Sequence, residues 1–551
     1  MLILARAPEG SGPVPRPARP RLSTRLQRGP LAPTLALVAG IAAALGFAPI
    51  GIFAFTLFGL AALIVLCEAA PRRAAPLGFI WGTGHFGFGV RWVAEAFTYQ
   101  DKMPHWLGWP VVLALAALLA TMPAIACALV WRIFYPPLLT SYPPPSGGGT
   151  ARSAGRGSAT AEQSLHARTT ARLYAFPAAW MATEWLRGHL FTGFPWNTLA
   201  ASTLDIPGLA LPAALYGALG LSGLIALAAA AIAYAKLWPG VVAATLAIVG
   251  TAAALLSPPA PTPRPVQLVI VQPNISQADK WDPSAQARNL DTLMRLSRTA
   301  SPTRDPRVIL WPEAALAEAE PETDPALRTR LATLLRPGDL LLTGGLSARY
   351  DRAGTPVAAT NSVFVIDSAG AIRARYDKSH LVPGGEYVPL RPIADALGLS
   401  RLAPGDVDFT PGSGPRTIIL PGIPPIGALI CYEMIFPTAI VDEAHRPGWL
   451  FNPSNDAWFA DTGPWQHLAL ARLRAIEEGL PIARSTPTGV SALIGANGAI
   501  LATLPQRTPG VIVQPLPAPG PRTPFSRAGD LIPLALGLLA LGLSRRAAHR
   551  T

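Results

Sequence analysis

Long apolar runs recur through the first half of the chain and predict membrane-spanning helices. An uncharged apolar run of about 20 residues is long enough to cross the hydrocarbon core of a bilayer as a helix. The run at 74–97 also carries Arg91 and Glu95, and such charges usually face a bundle interior or the interface because they are costly in lipid. We predict spans at residues 31–48, 50–67, 74–97, 106–131, 171–190, 208–235 and 237–257.

The second half of the chain shows a different pattern of apolar and polar positions. From Val266 to about Pro515, short β-type runs occur with helical stretches such as Ser284–Thr299 and Gln466–Glu478 between some of them. Strands mixed with helices at this spacing are typical of an α/β sandwich, here of roughly 250 residues. The predicted strands include Val266–Val271, Val308–Trp311, Leu340–Thr343, Ser362–Ile366, Ile426–Ile430 and Trp449–Phe451.

The remaining segments complete a plan of domains. The first residues are rich in Arg and Pro and predict a cytoplasmic tail rather than a cleaved signal peptide. A Pro/Gly-rich stretch predicts a flexible cytoplasmic insertion, and a second Pro-rich stretch predicts a stiff linker. We divide the chain into a tail at 1–30, a membrane domain of about seven spans at 31–257 with its insertion near 136–170, a linker at 258–265, a sandwich domain at 266–515 and a C-terminal span at 529–545.

Basic residues alternate between loops and so predict the orientation of the membrane domain. The loops after the second, fourth and sixth spans carry Arg73, Arg152 and Lys236, whereas the odd-numbered loops lie near Asp101 and Asp205. Because cytoplasmic loops are enriched in Lys and Arg, this parity predicts a cytoplasmic N-terminus. The sandwich domain is then expected on the periplasmic side of the cytoplasmic membrane, and the final span returns the chain to the cytoplasm.

Composition supports a membrane protein and excludes several classes of site. Half of the 551 residues are hydrophobic and only 14% are charged. The net charge of +13 comes from Arg clusters beside apolar runs, which indicates anchoring in a membrane rather than binding to nucleic acid. The three cysteines, Cys67, Cys127 and Cys431, show neither ligand spacing nor a disulfide framework, so we expect no metal and no cofactor.

Three strand ends in the second half carry groups that can do chemistry. The predicted strand Ile426–Ile430 runs directly into Cys431, which suits a nucleophile, although a buried cysteine can also serve only as a small hydrophobe. A second strand leads to Glu313, and a third leads to Lys378 and Glu386. Taken singly, Glu313 could cap a helix, Lys378 could be a solvated surface charge, and Glu386 could brace a turn.

Together these residues make the second half resemble the nitrilase superfamily, whose α-β-β-α sandwich carries a Glu–Lys–Cys triad. Residues 31–545 as a whole resemble its membrane-embedded branch, the apolipoprotein N-acyltransferase family. The resemblance implies a multi-span α-helical membrane domain of about eight spans plus a nitrilase-like α-β-β-α sandwich. The motifs that carry it are Leu45–Pro49, Glu184–Gly188, Phe191–Trp196, Val271–Ile275, Lys280–Asp282, Trp311–Glu313, Cys431–Glu433, Asn455–Phe459, Arg472–Glu477 and Arg484–Thr486.

The resemblance also implies a role for each member of the triad. Cys431 is the nucleophile, and Glu313 is the general base if burial raises its pKa toward neutrality. Lys378 stabilises the thiolate and the developing oxyanion. Glu386 orients Lys378 or relays a proton. Among the neighbours, Tyr432 and Glu433 are expected to support the site, Trp281 to lie on a mobile loop that gates access for the substrate, Asn455–Phe459 to shape the pocket wall, and His380 and His467 to be structural.

The reaction implied by the resemblance is the N-acylation of the N-terminal diacylglyceryl-cysteine of lipoproteins. A phospholipid, with phosphatidylethanolamine expected, donates the acyl chain through a thioester on the enzyme in a ping-pong mechanism. The expected partners are the membrane, the donor lipid and the apolipoproteins, and the protein is expected to be a monomer. A membrane-tethered amidase or nitrilase that hydrolyses amides is the alternative, because it shares the triad. A transporter with a non-catalytic outer domain is a third interpretation.

Overall fold

A computed structural model describes residues 30–100, 103–134, 151–256, 265–301, 304–317, 320–396, 398, 400–402 and 407–549. The predicted tail as far as residue 29, residues 136–150 of the predicted insertion and residues 258–264 of the predicted linker lie outside these ranges. Within them the chain forms a helical part followed by a part built on β-sheets, as the change of apolar pattern predicts.

The helical part has a helix at each predicted span, and the helix of the fifth span already begins at Ala151, within the predicted insertion. The helices are α1 Leu31–Ala44, α2 Phe53–Ala69, α3 Ala74–Gly89, α4 Gly108–Ala128, α5 Ala151–His189, α6 Ala213–Ala233 and α7 Leu237–Leu256. A Cβ atom at Gly78 of α3 would lie 2.6 Å from the Pro123 carbonyl oxygen, and one at Gly82 would lie 2.8 Å from the Cα atom of Ala120. Glycine therefore lets α3 and α4 pack at close range, as small residues do between membrane helices.

Length and hydropathy decide which helices can cross a bilayer alone. Among the described residues three segments qualify, namely His105–Arg132, Ala213–Ala233 and Leu531–Ala548. The pair Phe53–Ala69 and Pro71–Gly89 qualifies only when taken together, and it is bent by 118°. The described chain thus contains three candidate spans, or four with the bent pair, against the eight expected from the apolar runs.

The third predicted span ends earlier than expected. Its helix α3 stops at Gly89, and Arg91–Tyr99 forms a 3-10 helix instead. The Arg91 side chain folds back so that Nη1 donates to the Phe88 carbonyl at 2.7 Å, and its guanidinium lies 4.1 Å from the centre of the Phe88 ring. The charges of Arg91 and Glu95 therefore lie outside the apolar helix, which agrees with the cost of a charge in lipid.

The second part contains two six-stranded sheets among its described residues. The first sheet has the strand order β12-β1-β2-β3-β4-β5 and the second has the order β11-β10-β9-β8-β7-β6. The strands are β1 Gln267–Gln272, β2 Arg307–Leu310, β3 Leu340–Tyr350, β4 Pro356–Asp367, β5 Ile372–Asp377, β6 Thr417–Leu420, β7 Ile423–Ala428, β8 Trp449–Pro453, β9 Ile482–Ser485, β10 Ser491–Ile494, β11 Ile500–Leu504 and β12 Gly510–Pro515.

Helices occupy the outer faces of both sheets. The second part and the C-terminus contain α8 Gln277–Lys280, α9 Gln286–Arg298, α10 Pro325–Ala332, α11 Arg391–Ala396, α12 Gly463–Glu478, α13 Pro524–Ala528 and α14 Leu531–Ala548. Leu310 and Phe451 belong to an apolar cluster between the sheets, while Leu293 of α9 and Leu331 of α10 cover the first sheet. The layers therefore follow the expected α-β-β-α order.

Helix α12 is shared between the sandwich and the membrane helices. Leu468 and Leu473 on α12 belong to one buried cluster with Ile482 of β9 on one side and Leu221 of α6 on the other. In each sheet the central strands are parallel, with β1, β2 and β3 in one and β7, β8 and β9 in the other. Residues that follow the carboxyl ends of parallel strands gather at one edge, and this is where the candidate site lies.

Candidate active site

Three side chains that follow strand ends meet inside the sandwich. Glu313 lies three residues beyond β2, Lys378 directly follows β5, and Cys431 lies three residues beyond β7. Their exposed fractions are 6%, 1% and 5%. Each of the three acts on the pKa of the other two, so the structure brings together the Glu–Lys–Cys set that the sequence suggested.

Lys378 lies between two carboxylates. Its Nζ atom donates to Glu386 Oε1 at 2.9 Å and lies 3.4 Å from Glu313 Oε1. Burial alone would lower the pKa of the Lys378 ammonium group, but the charges of Glu386 and Glu313 outweigh it and raise that pKa above its ordinary value. Lys378 is therefore a fixed cation, and Glu386 holds it in place.

Asn361 on β4 joins the two carboxylates, and sequence reasoning missed it. Its Nδ2 atom donates to Glu313 Oε1 at 2.7 Å and to Glu386 Oε1 at 3.1 Å. Its backbone carbonyl accepts from the backbone N–H of Lys378 at 2.8 Å. The asparagine is in the middle of a strand, where no motif marks it, so only the folded register reveals its role.

The pKa of Glu313 does not rise toward neutrality. Burial acts in that direction, but the ammonium groups of Lys378 and Lys280 outweigh it, and the Glu313 pKa lies below its ordinary value. Burial first, and then the charge of Glu313, raise the pKa of the Cys431 thiol, which Lys378 opposes. The resting pair is thus a carboxylate beside a neutral thiol. Glu313 Oε2 is buried and accepts no hydrogen bond in the described part of the chain, so it can receive the thiol proton.

Lys280 is a second buried lysine beside the triad, and Trp281 is the next residue along the chain. The Lys280 Nζ atom donates to the backbone carbonyl of Glu313 at 2.7 Å and lies 5.8 Å from the centre of the Trp281 ring. Burial lowers the pKa of Lys280 to about 8. Trp281 therefore borders the loop that carries Glu313. Sequence reasoning passed over Lys280, although it is the first residue of a motif that carries the family resemblance.

The predicted nucleophile, Cys431, occupies a left-handed turn. Cys431 has a φ of 49°, which is uncommon for any residue except glycine, and it begins a 3-10 helix over Cys431–Ile435. The backbone N–H of Asn455, just beyond β8, faces the Cys431 sulfur and stabilises its charged form. Backbone strain of this kind persists only where the surrounding contacts determine it, and here those contacts come from several strands.

Glu433 ties the segment that carries the lysine to the turn that carries the nucleophile. Its Oε1 atom accepts from the backbone N–H and the hydroxyl of Ser379, both at 2.7 Å, from the backbone N–H of His380 at 3.1 Å, and from the Tyr376 hydroxyl at 2.8 Å. Its Oε2 atom accepts from the backbone N–H of Ile430 at 2.7 Å. The side chain is buried, so these five bonds are shielded from water.

Tyr432 connects the nucleophile's turn to the membrane part. Its hydroxyl donates to the backbone carbonyl of Gly193 at 2.8 Å, and Gly193 belongs to the loop that follows α5. His380 lies beside this contact, with its ring stacked 3.9 Å from that of Phe436. In the predicted pocket wall, Phe459 packs against Trp92 and Trp196 of the membrane part and also against the apolar cluster that contains Cys431. Among the described residues, no group of three His, Cys, Asp or Glu side chains could hold a metal ion.

Comparisons with known proteins agree with this architecture. The carbon-nitrogen hydrolase family matches residues 268–519, and the apolipoprotein N-acyltransferase N-terminal domain matches residues 39–231. The apolipoprotein N-acyltransferase of Allorhizobium ampelinum is 34% identical over 500 residues, covering 87% of this chain and 88% of the relative. That of Caulobacter vibrioides is also 34% identical, over 547 residues, covering 95% of this chain and 96% of the relative.

Among solved structures, a mutant of the amidase from Nesterenkonia sp. AN1 is similar at 21% identity. It covers 47% of this chain and 94% of the amidase, with a TM-score of 0.34. The relatives of full length and the two matched domains decide the assignment. The chain belongs to the apolipoprotein N-acyltransferase family.

Proposed function

We propose that this protein N-acylates lipoproteins by moving a fatty-acyl chain from a phospholipid to the α-amino group of an N-terminal diacylglyceryl-cysteine. The observation that carries the proposal is the buried cluster of Glu313, Lys378 and Cys431, one residue away from the hydrogen bond between Tyr432 and Gly193. A thiol with a carboxylate and a fixed cation suits acyl transfer through a covalent intermediate. The protein's relatives from Allorhizobium ampelinum and Caulobacter vibrioides are named apolipoprotein N-acyltransferases, which supports the same reaction.

The first half-reaction forms a thioester on Cys431. Glu313 takes the thiol proton as the sulfur attacks the ester carbonyl of the phospholipid. The ammonium group of Lys378 stabilises the negative charge that develops on the carbonyl oxygen, and Glu386 keeps that group oriented. The ester C–O bond then breaks, and the lysophospholipid leaves as an alcohol after receiving the proton from Glu313. The acyl chain stays on the sulfur.

The second half-reaction transfers the acyl chain to the amine. The free α-amino group of the acceptor attacks the thioester carbonyl, and Glu313 takes a proton from the nitrogen. Lys378 again stabilises the oxyanion, the C–S bond breaks, and the thiolate of Cys431 regains its proton from Glu313. The product is an amide. Burial of all three groups favours the amine over water, because a closed site excludes competing hydrolysis.

We also propose a cellular location and orientation for the protein. We place about eight spans in the cytoplasmic membrane, with the membrane domain at 31–257, the catalytic domain at 266–515 on the periplasmic side and the last span at 529–545. The candidate spans support a place in the membrane, and the parity of basic loops supports the orientation. The donor, which we take to be phosphatidylethanolamine, then reaches a monomeric enzyme sideways from the bilayer and passes the loop at Trp281.

Mass spectrometry of the purified full-length protein after mixing with phosphatidylethanolamine vesicles tests the proposal. We expect a fatty-acyl adduct on Cys431 and release of lysophospholipid, and the adduct disappears on addition of a diacylglyceryl-cysteine peptide. Cys431→Ala should show no adduct, while Cys127→Ala, a matched change in helix α4, should acylate as the wild type does. An unmodified Cys431 under these conditions, or ammonia release from small amides without lipid, would contradict the proposal and favour an amidase.

A further inference from the structure

His467 lies on α12 directly beside the nucleophile's turn, and the two half-reactions do not use it. Its ring is fully buried. The Nε2 atom lies 3.1 Å from the backbone carbonyl oxygen of Cys431. On the other side of the ring, Nδ1 lies 3.1 Å from both Asp456 Oδ1 and Arg484 Nη2. All polar atoms of the imidazole therefore have partners, and one of these partners is the nucleophile's own peptide group.

The groups around the His467 ring determine which of its two nitrogens carries the hydrogen. Burial, and next the charge of Arg484, lower the pKa of His467, while Asp456 acts in the opposite direction, so the ring is neutral near pH 7. A carbonyl oxygen can only accept, so Nε2 carries the hydrogen and donates to Cys431. Nδ1 then accepts from Arg484 Nη2, a nitrogen that also lies 2.7 and 2.6 Å from the two carboxylate oxygens of Asp456. The Cys431 carbonyl thus fixes the tautomer, and the Arg484 guanidinium supplies the donor to Nδ1.

We propose that His467 is a positioning residue for acyl transfer, an inference that rests on the proposed function of Cys431. Its Nε2–H holds the carbonyl of Cys431 and thereby fixes the peptide bond between Cys431 and Tyr432. A trans peptide points its C=O and N–H in opposite directions, so the same contact also fixes the direction of the Tyr432 N–H. The contact also holds the turn in which Cys431 keeps its left-handed φ of 49°.

Packing alone does not account for a histidine at this position. The ring centre lies 5.5 Å from that of Trp196 and 5.6 Å from that of Phe459, distances that any aromatic ring could provide. Only an N–H at the Nε2 position can donate to Cys431. The adjacent Gln466 accepts from the indole N–H of Trp196 at 2.7 Å. The membrane part therefore helps to hold the helix that carries His467.

Two amide substitutions separate donation from packing. In His467→Gln the side-chain amide nitrogen can take the place of Nε2 and donate to Cys431, whereas in His467→Asn the shorter amide takes the place of Nδ1 and cannot reach that carbonyl. We expect His467→Asn to lower the single-turnover rate of Cys431 acylation by about 10- to 100-fold, because the buried Cys431 carbonyl loses its donor. His467→Gln should stay within about 5-fold of the wild type, because the donor is restored.

A second readout distinguishes positioning from misfolding. The concentration of phosphatidylethanolamine at half-maximal acylation should stay the same in both variants, and iodoacetamide should alkylate Cys431 at similar rates, since alkylation needs no oriented peptide N–H. Wild-type acylation by His467→Asn, or equal losses in both variants, would overturn the inference. If alkylation and acylation fall together, the ring is structural and the inference is wrong. Failure of the wild type to acylate Cys431 would instead refute the proposed function.

Discussion

The protonation states of Glu313 and Cys431 set the chemical starting point of the site. Two lysines keep Glu313 ionised despite its burial, and burial together with the carboxylate keeps the thiol neutral. A thiol attacks a carbonyl as thiolate, so the proton must move to Glu313 during the reaction rather than before it.

The depressed pKa of Glu313 predicts how acylation depends on pH. Glu313 must be ionised to accept the thiol proton, and the Asn361 amide contributes to lowering its pKa. Asn361→Leu removes that donor, so the pKa of Glu313 rises and the acid limb of the profile should move to higher pH. The check is the rate of Cys431 acylation against pH. Asn497→Leu, which alters only the turn before β11, should leave the limb in place, and an unshifted limb in Asn361→Leu would count against this account.

At the scale of residues, the sequence identifies the candidate catalytic groups more readily than the groups that hold them in place. Glu313, Lys378 and Cys431 follow strand ends, and the family resemblance joins them into one site. Asn361 could not be found in this way, because an asparagine in mid-strand has no distinguishing spacing. The sequence also could not predict the direction of the shift in the Glu313 pKa. That shift depends on a second lysine, Lys280, whose ammonium group approaches Glu313 only in the folded chain.

At the scale of elements, the segment after β5 and the turn after β7 depend on one buried carboxylate. Glu433→Gln should lower the acylation rate, because the new NH₂ group would face the backbone N–H of Ile430, which now donates at 2.7 Å. Leaving a buried donor unsatisfied costs about 1–3 kcal/mol, which corresponds to roughly 10- to 100-fold if the loss appears in the transition state. Single-turnover acylation measures it. Glu322→Gln, a change at a half-exposed acid paired with Arg375, is the control and should have little effect.

Apolar periodicity predicts several central elements, but it misses the central strand Ile482–Ser485 and the outer strand Ile500–Leu504. The expected strand Val266–Val271 corresponds to Gln267–Gln272, and the expected helix Ser284–Thr299 corresponds to Gln286–Arg298. Strand Ile500–Leu504 was not foreseen, because it is at a sheet edge where Ile500 and Leu501 are exposed, so its apolar pattern carries no burial signal. Sequence patterns report which side chains avoid water, and edge strands are stabilised mainly by backbone pairing.

At the scale of the whole molecule, the sandwich and the membrane helices share a polar junction. Helix α6 is broken at Gly217, with φ 69° and ψ 170°, and the break frees the backbone N–H of Ala218. Glu477 on α12 accepts from that N–H at 2.5 Å, and the guanidinium of Arg474 lies 2.8 Å from the other carboxylate oxygen. A carboxylate of the catalytic part thus caps the second half of a candidate span, which couples the positions of the two parts.

This junction predicts that stability depends on pH. Burial raises the pKa of Glu477 from 4.5 to about 8, although Arg474 opposes the rise. Between those values the folded protein retains a proton that the unfolded chain releases, so the free energy of unfolding should fall as pH rises through this window. Thermal unfolding of the full-length protein in detergent should therefore show a Tm that decreases from about pH 5 to pH 8. Glu477→Gln cannot ionise and should flatten this slope, while Glu443→Gln, a change at an exposed acid, should retain it. An unchanged slope in Glu477→Gln would show that this carboxyl group titrates as it does in the unfolded chain and that the junction does not bind the extra proton.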